Sequence, residues 1–499
     1  MISPILVLAI LGADFVQQEF DGVIPYEPAP YGTPEKGKGF RLGDFNGDGA
    51  SDVITKDFLL LQLGGGFPRQ GQRPLPNFGG RAAGDLWGQD LYFLLSDRLE
   101  IVRWSGDTWQ RVLSQDMSWP RTGLVSQLAG SPQDNSVSFA SFLFDVDGQG
   151  TPEVILPAED GVHIYRRNGA FYEAAGTLLA SLPPFTLENA GDVTLWPQKR
   201  RALSPPRQTR TFSFSLREQQ VCLAYASPVA GGMVQHRLCH YPVLPGKDGF
   251  SLGPEPALDT LSKPVPAGVS ALFLNGDDVI DLCQTQVTSM TTSTVPVPVL
   301  DVSLSTNGGE TFTTLRSVTL TTTPRFADMN GDGLLDFIGE RTALFDGGLR
   351  ETLLRAMSRR RVDHEVRVHL QSAARGFSAS PLFSHLFAVD LDKAPLHQSP
   401  LFMRYTRGSL VNMQGDFDAD GFLDAAIQDR PDRIAVYRGS QSGFETVPYA
   451  AITLTAIESF CVADLNADGR ADVLADAPVP GAPDRPSRTS IFLMKGGAP

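Results

Sequence analysis

Only four cysteines and seven histidines are spread over 499 residues, so neither a disulfide framework nor a histidine-rich metal centre can organise a chain of this length. No apolar run reaches the roughly 18 residues that a membrane-spanning helix needs. The histidines (His163, His236, His240, His364, His369, His385 and His397) form no HExxH pair. His364 and His369, on either side of EVRV, fall on opposite faces of a strand, and His163 and His240 sit in alternating strand patterns that favour structural roles. A G-x-S-x-G elbow is missing, as is an RGD tripeptide. Gly32 to Gly39, GTPEKGKG, has the opening of a phosphate-binding loop but neither its Ser/Thr nor a following helix. Basic charge is also short: the net charge is −14, which argues against a nucleic-acid partner. No catalytic residue can be assigned from these patterns.

What the chain does have is glycine (49) and proline (37), with an ordinary apolar fraction of 42%. That combination favours many short strands and tight turns around a real core. The N-terminal run Ile5 to Ile10, ending near Gly12 and Ala13, reads as a short secretory signal cut after Ala13; a buried first strand is the alternative. Folding the segment around Cys222 and Cys239 about Ala230 and Gly231 sets the two cysteines opposite each other on a hairpin, compatible with a disulfide or with two small core residues. Cys283 and Cys461 lie in apolar strand contexts and are expected in the core.

One pattern recurs. A nine-residue stretch, D-x-[DN]-x-[DNQ]-G-x-x-[DE], stands at DFNGDGASD (44 to 52), DVDGQGTPE (145 to 153), DMNGDGLLD (328 to 336), DFDADGFLD (416 to 424) and DLNADGRAD (464 to 472). A sixth copy, FLNGDDVID (273 to 281), has lost its first Asp and its Gly; it keeps Asn275, Asp277 and Asp281. Each is flanked by short apolar runs. A second marker, an alternating strand leading into Gly and an aromatic, ends at Phe67, Trp109, Phe171, Phe250, Phe312, Phe377 and Phe444, and an eighth begins at the C-terminus. The repeating unit is therefore four short antiparallel strands, which cannot bury their faces alone. Stacked radially, such units form an all-β propeller of four-stranded antiparallel blades. Eight blades are expected, or seven if residues 177 to 260 do not make a full blade. The segment Asp14 to Tyr26 is expected to supply the strand the last unit lacks and to close the ring. The domain reading is one propeller over 14 to 499, with insertions near 112–138, 177–209 and 346–363.

The acidic stretch is a cation loop in its chemistry. Positions one, three, five and nine offer side-chain oxygens, position seven a backbone carbonyl, and glycine at position six permits the sharp turn. The ligand sets are Asp44, Asn46, Asp48, Ala50 and Asp52; Asp145, Asp147, Gln149, Thr151 and Glu153; and Asp328, Asn330, Asp332, Leu334 and Asp336. Two more are Asp416, Asp418, Asp420, Phe422 and Asp424, and Asp464, Asn466, Asp468, Arg470 and Asp472. Oxygen donors in a flexible loop suit Ca²⁺, about five ions in all. Two carboxylates about 4 Å apart repel by roughly 4 kcal/mol at an effective dielectric near 20, so such a loop needs a cation to become ordered. The five loops hold 16 acidic ligands, and removing them from a net charge of −14 leaves +2. The acidity of the chain is thus concentrated in the loops. An EF-hand is excluded, because position twelve is Thr55, Leu156, Gly339, Ile427 or Ala475 instead of Glu.

These loops and turns resemble the FG-GAP/VCBS repeat family, whose known members include the propeller heads of integrin α chains. The resemblance runs from about residue 14 to the end. It implies structural calcium on the propeller rim, away from a partner-binding face. The second repeat, shortened to GDLWGQDLYF (84 to 93), and the fourth, with REQQ (217 to 220), depart from the pattern and are expected to hold no metal.

The three long stretches are candidate functional loops. The last reads as a short basic helix, with Leu349, Leu353, Leu354 and Met357 on one side and Arg350, Arg355, Arg359, Arg360 and Arg361 available to an anionic partner or to solvent. The expectation is a secreted, periplasmic or cell-surface propeller that binds a glycan or protein. A polysaccharide lyase on the same scaffold is the alternative.

Overall fold

A computed structural model describes residues 15–20, 40–119, 137–179, 213–317, 325–342, 360–391, 410–477 and 488–494, apart from short gaps within these stretches, together with Leu354, Ser358 and Leu401. The signal reading at residues 1 to 13 lies outside them.

Valine, isoleucine and aromatic residues dominate the short runs between glycine-rich turns, and they pair as antiparallel ladders. The first blade is Phe40–Gly43, Asp52–Thr55, Phe58–Leu60 and Gln72–Pro74, each strand paired with the next. Blades with the same simple order follow at Leu143–Phe144 to Phe171–Leu179, Val269–Leu272 to Thr313–Ser317, and Val411–Gly415 to Ala450–Thr453. The sixth blade runs from Arg325–Ala327 to Phe383–Asp390, with a small hairpin, Gln371–Ser372 and Gly376–Phe377, set between its third and fourth strands. The fold is an eight-bladed propeller, as expected.

Two blades depart from the simple order. The second, Ala82–Trp87 to Thr108–Asp116, gains a fifth strand, Val137–Phe139, lying parallel to Ala82–Gly84. In the fourth, the long strand Met233–Gly246 is paired further by Leu258–Leu261 and Val265–Pro266. The eighth blade has only three strands of its own, and its fourth is Phe15–Phe20, which runs antiparallel to Arg488–Met494 with Phe15 opposite Met494.

The core is a series of apolar seams between successive blades. Val53 faces the eighth blade, beside Cys461 and Leu474, while its neighbour Ile54 faces the second, beside Leu91 and Phe93. In the seventh blade Ala425 and Ile427 pack on the sixth and Ala426 on the eighth. Because both faces of each sheet are covered, the central strands read as near-continuous apolar runs. A fully buried Leu or Phe contributes roughly 1.5–3 kcal/mol, so the seams dominate stability.

The hairpin at Cys222 corrects the expected register. Its turn spans three residues, Ala230–Gly232, with Val229 opposite Met233. Cys239 therefore faces Leu223, and Cys222 faces His240. A one-residue slip sends neighbouring side chains to opposite faces of the sheet. Cys239, Cys283 and Cys461 are all buried.

Candidate metal centres

The acidic loops join strand one to strand two of the first, third, sixth, seventh and eighth blades. Position six adopts the left-handed conformation in every loop, from φ 81° at Gly150 to 94° at Gly421. Position four does the same, and there the residue is Gly47, Gly148, Gly331, Ala419 or Ala467. The second left-handed residue was not anticipated from the sequence. Its signal is the small residue at that place in every copy.

Position nine begins strand two and is buried in all five loops. One oxygen of Asp52, Glu153, Asp336, Asp424 and Asp472 accepts the backbone N–H of position two at 2.7–3.0 Å. In four loops the other oxygen accepts an N–H at the far end of strand three, from Gln62, Gln371, Gly439 or Met494, at 2.7–2.9 Å. This carboxylate is thus a staple between loop and sheet as well as a candidate ligand. Burial pushes Asp52 up to about 6, Asp336, Asp424 and Asp472 up to about 7, and Glu153 up to about 8. The backbone donors oppose that rise, and the carboxylates at earlier loop positions add to it.

Position one closes the loop on itself. Asp44, Asp328, Asp416 and Asp464 accept N–H groups from positions four to six. The N–H groups of Ala50, Leu334, Phe422 and Arg470, at position seven, donate to the carboxylates of Asp48, Asp332, Asp420 and Asp468. Where position three is asparagine, Asn46, Asn330 and Asn466 donate to those same position-five residues Asp48, Asp332 and Asp468 at 2.9–3.0 Å. Where it is aspartate the carboxylates gather. Asp145, Asp147 and Glu153 each bring an oxygen within 4.8 Å of the others, and so do Asp416, Asp418 and Asp420. These two groups could hold a metal ion. Oδ1 of Asp145 is buried with no hydrogen-bond partner, an acceptor that a hard cation would satisfy. The donor set fits such an ion. Gln149 N–H donates to Asp147, and Thr151 follows at position seven.

The second blade makes its turn in two residues, with Trp87 opposite Asp90, and the fourth likewise, with Arg217 opposite Gln220. In the sixth copy Asp281 is buried at position nine and Asp277 accepts from Val279, while Asn275 lies outside the described residues. Neighbouring loops touch. Ala471 N–H donates to Asp416 O at 2.8 Å, Leu335 N–H to Leu274 O at 3.0 Å, and the Trp87 indole to Gly150 O at 3.1 Å. All the loops therefore lie at one end of the ring. The antiparallel order of each blade brings the described strand ends that flank 120–136, 180–212 and 343–353 to the other end, and those residues themselves lie outside the described ones.

Of the expected basic helix, Leu354 and Ser358 are helical and exposed, Arg360 precedes and Arg361 begins strand three of the sixth blade, and the remaining named residues lie outside the described ones. His236, His240, His364 and His369 are all buried. Arg325 and His364 meet at Glu340 inside the sixth blade, His364 Nε2 lying 3.0 Å from Glu340 Oε2. Among the described residues no helix is long and apolar enough to cross a membrane.

No curated protein matches the sequence. Two solved structures are similar over 91% of this chain. One is the V. cholerae biofilm matrix protein Bap1, 12% identical over 68% of its length with a TM-score of 0.16. The other is a europium-containing methanol dehydrogenase, 7% identical over 91% of its length with a TM-score of 0.26. At such scores neither carries an argument. The loops of the seventh and eighth blades, with the strands between them, match a family description directly. Residues 416–475 are an FG-GAP-like repeat, and the chain that carries it is an eight-bladed β-propeller.

Proposed function

We propose that this propeller is an exported, calcium-stabilised binding scaffold, with five ions at one end of the ring and a glycan or protein ligand taken by the long connections at the other. The observation that carries the reading is the buried position-nine carboxylate, repeated five times beside further acidic groups. Such a carboxylate is costly to ionise alone and is stabilised in its charged form by a cation. When bound, the ion supplies that charge. The protein supplies side-chain oxygens at positions one, three, five and nine and the carbonyl of position seven. Because the position-nine residue also staples three strands, ion binding transmits directly to blade stability. Burial of four described histidines within sheets supports binding over catalysis.

Thermal unfolding in excess Ca²⁺ and in chelator tests the metal. A higher midpoint in Ca²⁺ is expected, rising with its concentration; identical midpoints would sink the structural-ion reading. A panel of neutral and acidic polysaccharides, scored for retention and for new unsaturated ends, tests the ligand. Retention without new ends supports the scaffold, and new ends would replace it with a lyase.

A further inference from the structure

The loops differ at position three, and a second position in the same blade differs in step. Blades one, six and eight carry Asn46, Asn330 and Asn466, whereas blades three and seven carry Asp147 and Asp418. The strand-three residue level with position nine lies one step beyond the pairs Val53↔Leu60, Phe337↔His369, Val473↔Phe492, Val154↔Tyr165 and Ala425↔Tyr437. It is Leu61, Leu370 and Leu493 in the asparagine blades, and Arg166 and Arg438 in the aspartate blades. Leucine there packs into a seam. Arginine there brings a positive charge beside a position-three aspartate, and of the two loops only the seventh-blade one has gained a net acidic residue, because Gln149 replaces the position-five aspartate in the third.

In the seventh blade the pair is made. Arg438 Nε lies 2.9 Å from Asp418 Oδ2, and its guanidinium stacks over the Tyr449 ring at 4.6 Å from the centroid. Asp418 is one of the three carboxylates that gather in this loop. The loop holds four acidic residues, and Arg438 reduces its net charge to −3, the value of the first- and sixth-blade loops. The arginine side chain is 46% exposed, so it can swing into water when displaced. In the third blade Arg166 is committed to Glu173 at 3.0 Å, and the arrangement is that of a partner already turned away.

We propose that Arg438 is a resident counter-ion of the seventh-blade loop, held on Asp418 and displaced when a divalent cation binds, so that it sets the affinity of that one site. The inference rests on the calcium reading above. Breaking a partly exposed ion pair costs up to about 1 kcal/mol, which is a factor of up to about five in affinity. Calcium titration calorimetry on the full chain tests it, with R438L, which installs the residue of the asparagine blades, and R438Q, which keeps a polar chain of similar reach. Both variants should tighten one site about two- to fivefold and leave the others alone. In a D418N background the same substitutions should have no such effect. Unchanged or weaker binding in R438L and R438Q would overturn the proposal, and so would an equal gain in the D418N background. Absence of calcium uptake by the unsubstituted chain would remove both this inference and the calcium reading, a result distinct from uptake that ignores Arg438.

Discussion

Ala419 and Ala467 hold left-handed backbone at position four, φ 62° and 58°, where the other three loops have glycine. An L-residue with a Cβ pays roughly 1–2 kcal/mol for that conformation, partly offset by the lower chain entropy of alanine when unfolded. Ala419→Gly and Ala467→Gly are each expected to raise stability by up to about 1 kcal/mol, and Gly421→Ala at position six, φ 94°, to lower it by about 1–2 kcal/mol. Urea denaturation of the three variants would show this order, and a loss in both alanine replacements would contradict it. The position-nine staple is less tolerant. Asp472 accepts from Leu465 and Met494 N–H groups, and an amide turns a donor toward one of them. Asp472→Asn should cost about 2–3 kcal/mol in Ca²⁺, measured as a shift of the unfolding midpoint. His364 adds a pH dependence. Burial, with Arg325 nearby, lowers it to about 3, below the roughly 6.5 of an unfolded histidine. Its contribution is present above pH 6.5 and is lost as pH falls toward 3. Stability should rise with pH across that window, and His364→Gln should flatten the rise.

At the level of the blade, the sequence disclosed what repeats and hid what happens once. Five acidic loops and seven Gly-aromatic turns revealed the four-stranded unit, because a structural need that recurs leaves the same residues at the same spacing. The parallel strand Val137–Phe139 has no such signal, since its partner is chosen by the fold and not by local pattern. The register at Cys239 turned on one extra turn residue among Ala230, Gly231 and Gly232, any two of which would also make a hairpin. The staple role of Asp52 and its counterparts was concealed for another reason: ligand and hydrogen-bond acceptor are the same residue type. Contact between blades makes a further demand that composition alone does not show. A Cβ on Gly415 would lie 2.4 Å from Val462 Cγ1 and 2.5 Å from Ala471 Cβ in the next blade. Gly415→Ala should therefore force the seventh and eighth blades apart and cost about 1–3 kcal/mol, a prediction that fails if the variant unfolds at the parent's denaturant midpoint.

Across the whole molecule, the two ends of the ring divide the chemistry. Acidic charge concentrates at the end where the loops meet one another through Ala471, Leu335 and Trp87, and the strand ends that flank the long connections lie at the other. Ion removal should accordingly lower the melting temperature without abolishing ligand retention at temperatures where the ring persists, which paired melting and retention assays in chelator would show. The pairing of Phe15–Phe20 with Arg488–Met494 has a consequence for the order of events during synthesis. Phe15–Phe20 is made before the blades it closes and must wait for Arg488–Met494. Closing a loop of that length costs about 5–6 kcal/mol of chain entropy if the intervening chain is unstructured, and far less if the blades between have already stacked. The nascent chain is thus an open arc that grows by one seam at a time, and the arrival of Arg488–Met494 decides whether it becomes a ring or offers its free edge to another molecule.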